Sequence, residues 1–205
     1  MERLKIIRTY YESNMGKGLP EYGILGWESE EAQQLRFEIL ASSVDVRNKR
    51  LLDVGCGTGS LHDYLNQKGI HVDYTGVDIL ECMIDYAKGK NLKAKFHCVD
   101  IFKSDFFPRD SFDVVYASGI FNLNLGNNME FLSEALVRFM ELSAETVVFN
   151  LLNFDSPSKE EQYYYYHPDE ITKLVEPMAH KLEKFSIIEH YLQNDFTVIF
   201  QKKQT

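Results

Sequence analysis

The chain has 205 residues, 44% hydrophobic and 26% charged, enough for one globular domain with a sizeable core and too few for two comfortable ones. Its net charge of −9 argues against a phosphate-backbone partner, because nucleic-acid binders neutralise phosphates with clustered Lys and Arg. The three cysteines (Cys56, Cys82, Cys98) have no CxxC spacing and indicate neither a disulfide framework nor a metal site; with no apolar leader-like run and no stretch near the length of a membrane span, the expectation is a soluble, cytoplasmic protein of open oligomeric state.

Residues 1–28 mix aromatic, polar and glycine positions without a sustained period, which predicts a short helix and then an irregular arm. From Ser29 the sequence SEEAQQLRFEILAS offers an N-cap, two glutamates in the first turn and an apolar face of Ala32, Leu35, Ile39 and Leu40. A strand opening at Leu51 runs into a glycine-rich turn, LLDVGCGTGS, and then into a helix carrying Leu61, Tyr64 and Leu65 that stops at Gly69. His71 to Asp78 reads as a strand, Cys82 to Lys88 as a helix with Met83, Ile84 and Ala87 inward, and Lys95 to Asp100 as a third strand. Phe112 to Ala117 is a fourth strand, and Asn127 or Asn128 could cap a helix carrying Met129, Leu132, Leu136, Phe139 and Met140. Thr146 to Leu151 is a fifth strand, and a short helix begins at Pro168. Two last strands, Phe185 to Leu192 and Phe196 to Gln201, are separated only by Gln193, Asn194 and Asp195, too short for a parallel crossover. The expectation is therefore one α/β domain over residues 1–205: an open, mostly parallel seven-stranded sheet, helices on both faces, and an antiparallel C-terminal strand pair. Residues 1–48 form an N-terminal arm and helix placed to cap the site.

The glycine turn joins a strand to a helix, where backbone must approach a ligand. The dinucleotide fingerprint GxGxxG is not met, since Ser60 stands where its third glycine would fall, which disfavours a nucleotide-dependent oxidoreductase. The pattern present, D-x-G-x-G-x-G over Asp53, Gly55, Gly57 and Gly59, resembles motif I of the class I S-adenosylmethionine-dependent methyltransferases. The resemblance covers about residue 29 to the end, and the later positions match it more loosely.

That resemblance implies S-adenosylmethionine as cofactor and assigns residues to its parts. The turn at Gly55, Cys56 and Gly57 would approach the amino-acid portion, with Asp53 reaching its ammonium directly or through water. Asp78 falls 19 residues after Gly59, where a carboxylate can accept both ribose hydroxyls. Ile79 and Met83 would lie near the adenine, although a Met at helical spacing is usually core. Asp100 resembles the acceptor for the adenine amino group, with Ile101 beside the ring, and Ser118 with Gly119 would line the methionine arm. Phe121 and Asn122 would face the substrate; the segment Ala117 to Asn122 lacks the Asn/Asp-Pro-Pro-aromatic run of enzymes that methylate nucleobase amines. Trp27, Tyr165 and His167 are further substrate candidates, the last two from a tyrosine run that could equally be an edge strand or packed hairpin. Gln33 and Arg36 could reach the cofactor carboxylate, but an exposed helical face explains them more simply; His62 would face solvent or the cofactor edge, and Asp113 is structural. No general base can be named. The reading is methyl transfer to a small molecule, against two alternatives: an enzyme acting on protein or RNA, and a non-catalytic cofactor-binding module.

Overall fold

The computed structural model describes residues 2–90 and 94–204. Its first helix, α1 (Glu2–Met15), is 14 residues long rather than short, because Leu4, Ile7, Tyr11 and Met15 recur at helical spacing and pack on Ile24, Leu80 and Met83. One turn of helix, α2 (Glu21–Ile24), precedes α3 (Glu30–Ser43), whose N-cap Ser29 accepts the Ala32 N–H at 3.1 Å. The buried face of α3 is Gln33, Arg36, Phe37 and Leu40. The expected face is thereby corrected: Ala32, Leu35 and Ile39 are only half-buried, while Gln33 and Arg36 turn inward, Arg36 to a carboxylate far along the chain, Asp195.

Strands and helices then alternate: β1 (Arg50–Val54), α4 (Ser60–Gln67), β2 (Asp73–Asp78), α5 (Glu81–Gly89), β3 (Lys95–Cys98), β4 (Phe112–Ala117), α6 (Asn128–Leu142) and β5 (Ser143–Leu152). β3 stops at Cys98, so Asp100 lies in the following loop. Asn127 occupies the N-cap of α6 without a side-chain bond, while Asn128 ties the incoming loop, accepting the Leu125 N–H and donating to the Leu123 carbonyl, both at 2.8 Å. Beyond β5 come α7 (Pro168–Val175), a 3-10 segment (Glu176–Lys181), β6 (Leu182–Leu192) and β7 (Asp195–Lys202).

The sheet has seven strands in the order β3-β2-β1-β4-β5-β7-β6. β1 to β5 are parallel, and β7 lies antiparallel between β5 and β6. Alternate residues of the central strands face opposite sides, and both sides are buried, as a parallel sheet sandwiched by helices requires. Leu52, Val115 and Val147 pack beneath α6 and α7, while Leu51, Val114 and Val148 pack beneath α3, α4 and α5. The strand order reverses between β1 and β4, so a crevice opens at their carboxyl ends.

Phe121, expected to face the substrate, is fully buried on the α6 side, with ring centroids 5.4 Å from Phe131, 5.8 Å from Phe149 and 6.3 Å from Phe139. It is core. Phe121→Ala should lower the unfolding free energy by about 3–5 kcal/mol in urea titration; a loss below about 1 kcal/mol would return it to the pocket.

Candidate functional site

The crevice is built from the turn after β1. The N–H groups of Gly55 and Cys56 both donate to the Val77 carbonyl, at 2.8 and 3.0 Å, and the Gly57 N–H donates to Asp78 Oδ2 at 3.0 Å. Gly55 (φ 72°) and Gly57 (φ 51°) hold left-handed conformations, and each has another side chain where its own Cβ would stand. A Cβ on Gly55 would lie 2.1 Å from Ile120 Cγ2, and one on Gly57 2.5 Å from Leu25 Cδ2. Glycine is thus required both by the turn and by what lies against it.

Over this turn lies an open cavity. Asp53, Gly55, Cys56, Gly57, Asp78, Ile79, Met83, Asp100, Ile101, Ser118 and Trp27 all line it. Gly59 does not: it is the N-cap of α4 at φ 82°, its N–H on the Cys56 carbonyl, so its role is to turn the chain. The N-terminal segment supplies wall residues that the sequence reading missed, Arg3, Ile7 and Tyr11 from α1 and Leu25 beyond α2. The 4-7-11-15 stripe was a signal for α1 packing, but nothing in it pointed to a cavity.

A second open cavity shares Trp27 with the first and is lined by Asn122, Tyr163, Tyr165 and the hairpin residues Leu192 to Asn194. The tyrosine run alternates: Tyr163 and Tyr165 face this cavity, while Tyr166 is fully buried and Tyr164 packs against the core. The run is neither edge strand nor hairpin, making only isolated bridges from Tyr163 to Leu123 and from Tyr166 to Asn153. His167 lines neither cavity; its ring stacks on Phe154 at 3.8 Å ahead of α7, an apolar contact that removes it from the site. His62 is corrected as well: it is buried against the Tyr74 ring and 3.2 Å from Asn66 Nδ2, away from solvent and cavity. Gln33 and Arg36 are 5% and 2% exposed, so the exposed-face explanation fails; Gln33 lines the first cavity and Arg36 the second.

Asp53, Asp78 and Asp100 put three carboxyl groups in the wall. Asp53 is 4% exposed and accepts the Tyr74 hydroxyl at 2.5 Å. Burial pushes its carboxyl up to about 7, partly offset by that hydrogen bond and reinforced by Asp78. Asp78 is raised to about 6 by burial, offset by the N–H groups of Leu80 and Gly57. Burial also raises the Cys56 thiol, so it stays protonated rather than serving as a nucleophile. Asp100 accepts the Phe102 N–H at 3.1 Å and pairs with Lys103 at 3.0 Å. Ser118 Oγ and Asn122 Oδ1 are buried without a hydrogen-bond partner, an arrangement that asks for a ligand or water. Among the described residues no cluster of three His, Cys, Asp or Glu side chains could hold a metal ion, and no helix is long and apolar enough to cross a membrane.

Comparison with known proteins places this geometry. Residues 51–141 match a family model described as a methyltransferase domain. A ubiquinone biosynthesis O-methyltransferase of Coxiella burnetii is 37% identical over 71 residues, 33% of this chain and 30% of that protein, so the match spans less than a third of the relative's length. The magnesium protoporphyrin IX methyltransferase of Synechocystis, solved with bound SAH, superposes with a TM-score of 0.68 over 98% of this chain and 100% of that chain, at 16% identity. The plantazolicin methyltransferase in complex with SAH gives 0.64 over 98% and 96%, at 21% identity. At such identities the structural likeness speaks for the fold.

The Asp53 carboxyl predicts a pH dependence. Its folded value of about 7 lies above the ordinary 3.8, so the folded state holds a proton that the unfolded chain has lost. The associated stability is complete below about pH 4 and is lost as pH rises through about 7, by up to about 4 kcal/mol. Chemical unfolding across this window should show the loss, and Asp53→Asn should flatten it relative to the unaltered chain; parallel pH curves would contradict the assignment.

Proposed function

We propose that the chain, whose residues 51–141 match a methyltransferase domain model, is a class I S-adenosylmethionine-dependent methyltransferase that transfers a methyl group from S-adenosylmethionine, held in the first cavity, to a small molecule in the second. The observation that carries this reading is that the carboxyl ends of β1, β2 and β4 and the loop after β3 converge on one cavity. The polar groups there suit the cofactor. Each Asp78 oxygen already takes one backbone N–H, from Gly57 or Leu80, and keeps acceptor capacity for a ribose hydroxyl. Asp53, held near neutrality by burial, would meet the ammonium and be drawn to its ionised form. Asp100 would accept from the adenine amine, with Ile79, Met83 and Ile101 giving apolar cover, and Ser118 would line the methionine arm.

The cofactor, when bound, supplies a methyl group already activated on a sulfonium, so a displacement needs alignment more than acid–base help. Positioning can contribute about 7–11 kcal/mol. In this chain alignment falls to the glycine turn below, and to Leu25 and Trp27 from residues 1–48, which act as the cap. Asn122, which lines the second cavity, is the candidate for orienting the acceptor. The acceptors in the names of the ubiquinone and protoporphyrin enzymes support a small molecule. The chain's net charge of −9 also speaks against a nucleic-acid acceptor.

Titration calorimetry with S-adenosylhomocysteine tests the proposal. One equivalent should bind, with proton release near pH 7, seen as a buffer-dependent enthalpy, as Asp53 ionises. Asp78→Ala should weaken binding roughly 10- to 100-fold, the 1–3 kcal/mol scale of an unpaired polar group. Undiminished affinity in that variant removes the ribose role. No binding by the unaltered chain overturns the cofactor reading, and binding without methyl transfer to any acceptor in a metabolite panel favours a non-catalytic module.

A further inference from the structure

Trp27 is shared by both cavities, and what holds it reaches back to the last strand of the sheet. The Arg36 guanidinium lies over the Trp27 ring, 4.3 Å from its centroid. Its Nε and Nη2 donate to Asp195 Oδ2 at 2.8 and 2.7 Å, and its Nη1 to the Ala32 carbonyl at 2.6 Å. The other Asp195 oxygen accepts the Tyr191 hydroxyl. Behind them, Asn150 Nδ2 donates to Thr197 Oγ1 at 2.7 Å and to the Tyr191 oxygen at 3.0 Å, while Tyr116 donates to Asn150 Oδ1 at 3.1 Å. The network runs from β4 through β5 to β7 and the end of β6. On its opposite edge the indole meets Gly119, where a Cβ would stand 3.1 Å from Trp27 Cζ2.

A buried ion pair is weak evidence for stability as such, since desolvation offsets its attraction. Every member of this one is satisfied, and its free end is a stacked indole rather than more core. We propose that Arg36 and Asp195 are positioning residues that hold Trp27 as the partition between the two cavities, and so set the passage through which the acceptor reaches the methyl group. The turn at Leu192 to Asn194, which lines the second cavity, is tied to the partition through the same pair. The role in methyl transfer rests on the two-cavity reading above.

Trp27 is the single tryptophan of the 205 residues, so its fluorescence reports the partition directly. Acrylamide quenching of the ligand-free protein should rise at least twofold in Asp195→Asn and in Arg36→Lys, which keeps a cation for Asp195 but loses the planar stack. Tyr191→Phe, which leaves the ion pair in place, should move quenching in the same sense by less. In Arg36→Lys, affinity for S-adenosylhomocysteine should fall severalfold while far-ultraviolet circular dichroism stays unchanged. A purely structural pair would lower the melting temperature and leave quenching of the folded protein as it was; that result overturns the proposal. Should Asp195→Asn fail to fold, Arg36→Lys and Tyr191→Phe decide the matter. Failure of the unaltered chain to bind S-adenosylhomocysteine would count against the cofactor reading alone, because the quenching is read without ligand.

Discussion

Three backbone N–H groups, those of Gly55, Cys56 and Gly57, bond to the end of β2, and the site depends on that stitch. Two share the Val77 carbonyl and the third reaches the Asp78 carboxylate. The stitch closes the gap between adjacent parallel strands, and it can form only because the chain takes positive φ at Gly55 and Gly57. It also aims Asp78: with Gly57 on one oxygen and Leu80 on the other, the carboxylate has one orientation open to the cavity. Burying it beside Asp53 places two carboxylates where their charges are poorly solvated, which is why both titrate high. A cationic ligand group would relieve that burial.

The N-terminal segment is fastened to the same turn. Glu21 accepts from Thr58 Oγ1 at 2.5 Å, Ser60 Oγ at 2.7 Å and Lys90 Nζ at 2.7 Å, and Lys90 also pairs with Asp63 at 2.6 Å. Burial works to raise the Glu21 carboxyl, but these bonds hold it below the usual range. A second fastening joins Tyr10 and Tyr163 through their hydroxyls at 2.6 Å, linking α1 to the loop that walls the second cavity. Half-exposed polar contacts of this kind are each worth about 0–1 kcal/mol. The sheet beneath is held by fully buried side chains such as Phe121, Phe149 and Phe200. The cover is therefore the weaker layer and the platform the stronger, the division expected where ligands must enter and leave.

Much of the platform was legible in the residues. Short apolar runs marked the strands, the glycine turn marked where one meets a helix, and a three-residue gap required an antiparallel pair. The positions at strand ends, Asp53, Asp78 and Ser118, with Asp100 just beyond β3, could be placed on one edge because a parallel sheet brings all its carboxyl ends together. Less legible were side-chain directions in irregular segments. Phe121 and Asn122 are adjacent, and only the fold decided that the first enters the core while the second faces a cavity. His167 looked chemically apt and stacks on Phe154 instead.

The sequence by itself determined the sheet, the turn and which residues stand at the strand ends, since each follows from local apolar runs or from spacing along one chain direction. Only the tertiary structure decided which side chains of the N-terminal segment turn inward and what they meet. Gln33 and Arg36 read as a solvent-exposed face, because nothing local shows what they meet: the partner of Arg36, Asp195, is 159 residues away. No local pattern can announce a charge whose counter-charge arrives with the last strand. The same holds for Trp27, whose neighbours Arg36 and Gly119 come from different layers of the fold and meet only when the sheet has closed.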